Sequence, residues 1–163
     1  MGTADLISPK FVQSEHHERK AWLSVLARSD AREVAARWTA LKLEPDYQTL
    51  RPPETGLVMV RGRAGGTGDA FNLGEMTATR AVIRLSSGET GVGYVSGRDK
   101  KHALTAALAD ALLQSPDNKQ AVMTGLIAPL ASARDAARRE ASRKAAATKV
   151  EFFTMVRDRS PKK

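Results

Sequence analysis

Cysteine is absent from the 163 residues, and this excludes a disulfide scaffold, a thiolate metal site and a cysteine nucleophile together. Histidine is nearly as scarce: His16, His17 and His102 are the three, and none stands in an HxxxH or HExxH spacing. A self-contained zinc site is therefore not expected. Aromatic residues make up 5% of the chain, so the core must rest on Leu, Val, Ile, Met and Ala. No run approaches the roughly 18 consecutive apolar residues of a membrane span. The opening MGTADLISPKFVQSEHHERK also lacks the apolar centre of a secretory signal. These absences predict a soluble cytoplasmic protein with no membrane contact and no metal of its own.

Positive charge is what the chain has in excess, +8 net, which invites nucleic acid, an acidic partner or a phosphorylated substrate. Its distribution is uneven. Residues 134–163 hold ten Lys or Arg against four Asp or Glu, so six of the eight excess charges belong to the end of the chain and the rest is nearly balanced. At this length a single domain is expected. We place it at residues 15–157, after a loose extension at 1–14 and before a basic tail at 158–163.

Periodicity predicts an α+β fold: a small antiparallel meander flanked by helices, with an extended C-terminal helix and a terminal strand. Trp22, Val25 and Leu26 fall at helical spacing within 15–27. Asp30 and Glu33 resemble a capping box for a second helix carrying Val34, Trp38 and Leu41. A proline-rich connector has room for a short strand at 47–50. TGLVMVRGR, TATRAVIRL and VGYVSG then alternate with period two and read as three strands. Asp99 caps the best helix of the sequence, whose Leu104, Leu108, Ala111 and Leu112 form one stripe. It ends before Ser115-Pro116-Asp117. VMTGLIAPL reads as a short apolar turn before a last helix at 132–149 and the ending VEFFTMVR.

Between the first two strands stands RGRAGGTGDAF, with three glycines in four positions. A phosphate-cradling loop delivers its anion to the start of a helix, and a Walker loop carries Lys and then Ser or Thr after its last glycine. Here a strand follows, and Gly68 precedes Asp69. The expected role of Gly65, Gly66 and Gly68 is a hairpin connection with positive φ, while Arg63, Arg80 and Arg84 offer cations should the connection lean over a shared active site. The start of the Asp99-capped helix is the other candidate. Free N–H groups there carry partial positive charge, and Arg98, Lys100 and Lys101 add cations for a triphosphate. The bland alternative for the lysines is a solvated face, and for His102 a half-exposed helix residue rather than a general base. No catalytic residue can be named.

The last helix, SARDAARREASRKAAATK, has no large apolar residue, yet Ala133, Ala137, Ala141 and Ala145 recur at i, i+4. Small residues allow close approach of another helix, and Phe152, Phe153 and Met155 beyond it need somewhere to dock. We assign Ala133, Ala137, Ala141, Phe152, Phe153 and Met155 to a partner interface, the alternative being a helix simply exposed to water.

In their order and separation, ETGLVMVRGRAGGTGDAFNLGEMTATRAVIRL, GYVSGRDKKHALTAALADALL, LIAPL and VEFFTMVR resemble the PhnG family, a subunit of the bacterial carbon-phosphorus lyase. The resemblance runs from about Trp22 to Arg157. It implies a hetero-oligomer in which PhnG acts with PhnH, PhnI and PhnL to join a phosphonate such as methylphosphonate to ribose C1 of MgATP with loss of adenine. PhnJ later breaks the carbon-phosphorus bond. It also implies an assisting subunit that holds no cofactor alone, MgATP being a substrate of the complex. The competing reading is a basic nucleic-acid-binding module. Against it stand strands without stacked aromatics and the lack of a recognition-helix motif. A free-standing phosphohydrolase lacks any recognisable catalytic constellation.

Overall fold

The computed structural model describes residues 9–63 and 67–147, with side chains from His16 onward. Gly65, Gly66, the ending with Phe152, Phe153 and Met155, the tail 158–163 and residues 1–8 lie outside the described residues. Helices α1 (Pro9–Arg28) and α2 (Ala31–Leu41) open the chain. Strands β1 (Tyr47–Arg63), β2 (Ala70–Leu85) and β3 (Thr90–Ser96) follow, then α3 (Lys100–Leu112), α4 (Pro116–Val122), a π-helical turn (Met123–Ile127) and α5 (Ala128–Ala147). The α+β class and the antiparallel meander, in the order β1-β2-β3, are as the sequence predicts.

Two boundaries differ in an instructive way. Helix α1 begins at Pro9, inside the segment expected to be loose. Proline suits a first helical turn, and neither Gly nor Pro interrupts Lys10 to Arg28. The short strand at 47–50 is not separate from the hairpin: β1 runs 17 residues through Pro52 and Pro53. It can do so because β1 is the edge strand, where a missing N–H leaves no neighbour unbonded, and because register shifts between Thr49 and Arg51 and between Arg51 and Glu54 absorb the prolines.

Helix α3 covers the sheet face on which Thr79, Ala81, Ile83 and Leu85 of β2 and Val95 of β3 are buried. The approach is close because both sides are small. Gly91 and Gly93 of β3 lie beneath Ala103, Ala107 and Ala111, so that a Cβ at Gly93 would overlap the Ala103 carbonyl oxygen and one at Gly91 the Ala107 carbonyl oxygen. The buried surface of α3 is wider than the predicted stripe. Ala103, Ala106, Ala107 and Ala109 join Leu108, Ala111 and Leu112, while Leu104 is half-buried. A helix with sheet on one side and helices on the other is apolar most of the way round. Trp22, Val25 and Leu26 of α1, Val34 of α2, and Val122, Leu126, Ile127 and Leu130 complete the core.

The apolar turn expected at VMTGLIAPL is instead helix. The π turn lets Ala128 N–H bond the Met123 carbonyl, five residues back, and carries the chain past Pro129, which has no N–H to give. Gly125 in that turn leaves room for Leu41 of α2, which a Cβ would strike. Helix α5 therefore starts at Ala128 rather than Ser132. Its first turn is anchored by buried Leu130 and by Arg134, whose Nη1 donates to the Ser24 carbonyl at 2.8 Å. Beyond Arg134 it is exposed to Ala147.

Candidate functional site

Hydrogen bonds fix where the sheet stops being covered. The chain leaves β3 at Gly97, which has φ +88°, a value that favours glycine, and whose N–H bonds the Thr77 carbonyl at 2.9 Å. Thr79, fully buried, donates its hydroxyl to the Gly97 carbonyl at 2.7 Å. The Thr55 hydroxyl, 3.0 Å from that of Thr79, must then donate to it. This relay ties both long strands to the turn that enters α3.

The Asp99 carboxylate accepts from His102 N–H at 2.9 Å and caps α3 as predicted. Arg98, Lys100 and Lys101 around it are exposed. His102 is not half-exposed: it is 5% accessible, and its Nε2 lies 3.0 Å from the Leu26 carbonyl. A carbonyl only accepts, so Nε2 carries the proton and the neutral ring ties α3 to α1. Burial lowers its pKa below 6.5, opposed by the Leu26 contact and by Asp99 and Asp30. His102 is thus a structural bolt at the helix start, buried while the neighbouring cations face solvent.

The other candidates do not converge on it. Arg80 pairs with Glu54 at 2.7 Å, and Glu54 also holds Arg51 at 3.3 Å. The side chain of Arg80 points to the sheet face opposite α3, since its neighbours Thr79 and Ala81 are the buried ones. Arg63 is at the far end of β1, where its Nη1 donates to the Gly68 carbonyl at 3.1 Å. Eight residues beyond Thr55, it stands roughly 26 Å along the strand. Among the described residues the glycines recorded at positive φ are Gly88 and Gly97, whereas Gly68 borders the part of the connection outside the described residues. Its part in the connection is to present a carbonyl to Arg63.

Sequence reasoning missed the one carboxylate that is buried among the described residues. Asp110 of α3, 0% exposed, accepts from Arg19 Nε at 3.1 Å and Nη2 at 2.7 Å, from Trp22 Nε1 at 2.9 Å and from Val92 N–H at 2.9 Å. Both oxygens are fully engaged, as a buried charge requires. The signal was present: a lone acid inside ALADALL must find a partner. An open cavity of about 520 Å³ adjoins this knot, lined by His16, Glu18, Arg19, Trp22, Gln114 and Lys119 among others. Among the described residues no group of three or more His, Asp or Glu is placed to hold a metal ion.

No described helix is long and apolar enough to cross a membrane. Relationship to known proteins decides what kind of surface this is. A family model described as "Phosphonate metabolism protein PhnG" matches residues 17–158. The chain belongs to the PhnG family. It is 46% identical over 140 residues to the "Alpha-D-ribose 1-methylphosphonate 5-triphosphate synthase subunit PhnG" of Rhizobium meliloti (strain 1021), an alignment covering 86% of this chain and 89% of that one. The match takes in the whole described sheet and α3, and begins inside α1.

The structure also exposes what no pattern singled out. Past Thr55 the paired strands β1 and β2 run on as a two-stranded arm, to Arg63 opposite Ala70. Leu57, Met59, Phe71, Leu73 and Met76 are all exposed on it, Leu57 and Leu73 at 65%. The predicted interface alanines Ala133, Ala137 and Ala141 are exposed as well, on α5.

Proposed function

We propose that this chain is a subunit of α-D-ribose 1-methylphosphonate 5-triphosphate synthase in cytoplasmic phosphonate breakdown, assisting rather than performing the chemistry. The observation that carries the reading is the 46% identity across 89% of a synthase subunit. The assisting role has support from the fate of the titratable groups. Asp110 is spent on four donors and His102 on the Leu26 carbonyl. A general base must reach a substrate proton, and neither can without dismantling the core.

PhnI, PhnH and PhnL are the proposed partners in the transfer, with PhnJ acting afterwards on the product, and MgATP binds the complex rather than this chain alone. The edge of the shared site is assigned to exposed Arg98 and Lys100. Arg80 belongs to a separate surface, because its side chain and α3 lie on opposite sheet faces, and Arg63 with Gly68 stands apart from both at the far end of β1. The test is adenine release from MgATP and methylphosphonate. The isolated chain should release none, the complex should release adenine, and the complex assembled without this chain should fall to background. Robust release by the isolated chain would sink the assisting role, and full activity without it would sink subunit membership.

A further inference from the structure

Resting on the subunit reading, we infer that the arm formed by Leu57–Arg63 and Ala70–Thr77 inserts into a cleft of an unlike subunit that covers both of its faces. Register carries the first step. Thr55 pairs with Thr79, Leu57 with Thr77 and Met59 with Glu75, so Leu57 and Met59 continue the same sheet face that α3 covers at Thr79, Ala81 and Ile83. The helix layer ends and the apolar face does not.

The opposite face is apolar too. Val58 pairs with Met76 and Val60 with Gly74, and Gly56 and Gly74 have nothing within 4 Å of where a Cβ would stand, which leaves room for another backbone to come close. Strand β3 ends at Ser96 opposite Ala78, so from Ala70 to Thr77 the outer edge of β2 has no strand partner among the described residues. A two-stranded ribbon is at best marginally stable alone in water. This one gains from enclosure on both faces and an edge.

That geometry selects the occupant. Two copies of this chain packing arm against arm across a two-fold axis would cover one face of each arm and leave the other in water. Nucleic acid needs a marked excess of cations, and the arm has Arg61 and Arg63 against Glu75, with Asp69 immediately before it. A cleft lined by apolar side chains on an unlike subunit fits both faces at once. The arm also offers Phe71 and Met76, side chains of the kind enriched at interface centres.

The experiment co-expresses the tagged full chain with PhnI, PhnH and PhnJ, comparing wild type with Met59→Glu on one face and Met76→Glu on the other; Leu73→Glu serves as a second variant for the Met59 face and Val60→Glu for the Met76 face should the first fail to fold. Each isolated variant is also melted and sedimented. Burying an unpaired carboxylate should weaken assembly on the order of tenfold or more for both faces, with melts unchanged because the sites are exposed. If only one face responds, the cleft is overturned in favour of one-sided docking. If the variants abolish self-association of the isolated chain while hetero-assembly stands, a second copy is the occupant. Wild-type assembly with both variants unaffected overturns the arm alone, whereas failure of the wild type to assemble overturns the subunit reading beneath it.

Discussion

Strand β2 is one continuous strand in two environments. From Ala78 to Leu85 every second residue is sealed under α3, the strand has neighbours on both edges, and the polar groups beside it are bonded. From Ala70 to Thr77 the same backbone geometry continues with, among the described residues, one neighbour and no layer above it, while exposing Phe71, Leu73 and Met76. Secondary structure alone therefore does not distinguish a part of the molecule that holds itself together from one shaped for something else. The distinguishing feature is satisfaction: the covered half accounts for its donors and apolar surface internally, and the bare half does not.

Substitutions should separate the two halves, and the largest effect belongs to Gly93→Ala. The added methyl meets a helix carbonyl rather than a movable side chain, so the loss should reach at least about 3 kcal/mol, the upper range for overpacking. A urea midpoint close to wild type would refute the close approach of α3. Asp110→Ala comes next. It leaves Trp22 Nε1 and Val92 N–H without an acceptor and should cost about 2 to 3 kcal/mol, since Arg19, 33% exposed, can turn to water. Removing the carboxylate and finding the melt unchanged would mean the knot contributes nothing.

His102 supplies a smaller, pH-dependent effect. Its folded pKa lies below 6.5, so on acidification the unfolded chain takes up the proton first. Stability from the neutral ring is complete above pH 6.5 and declines as pH falls toward the folded pKa. His102→Gln, which can still donate to the Leu26 carbonyl, should flatten the acid limb of the melt profile, and an equally steep limb in the variant would assign it to other groups. On the bare side, Leu73→Ser should change the isolated chain's stability by less than about 0.5 kcal/mol. Smallest of all is Ala137→Leu on exposed α5, where Leu is nearly as good a helix former as Ala. An unchanged melt with lost co-purification would make the alanine line a second contact. Retained co-purification would return α5 to solvent.

Much of this contrast was legible in the chain, and the rest was hidden for definable reasons. Period-two alternation marked all three strands, and Asp30 and Asp99 marked two helix starts that their side chains do cap. Pro52-Pro53 read as a break because sequence does not say which strand lies at an edge. Gly125 and Pro129 read as a turn because a π turn has no local signature. His102 looked half-exposed because its acceptor comes from Leu26, 76 residues away, and Asp110 went unnoticed because its partners lie on α1 and β3. The apolar residues of the arm alternate like those of any core strand. Only the position where α3 begins, beside Gly97 and Thr77, tells that they face water.

The two prolines of β1 have a further meaning for a molecule awaiting its partners. An exposed strand edge is a template on which other chains can stack without limit, and proline blocks such stacking by withholding a donor. Pro52 and Pro53 interrupt the long outer edge of β1, beside the folded body, so the longest uninterrupted stretch of that edge runs along the arm. Growth of open-ended aggregates is thereby concentrated on the segment that assembly would remove from solution. Surplus unassembled copies should accordingly precipitate through the arm first, and replacing both prolines by Thr should extend the sticky edge along the full 17 residues of β1.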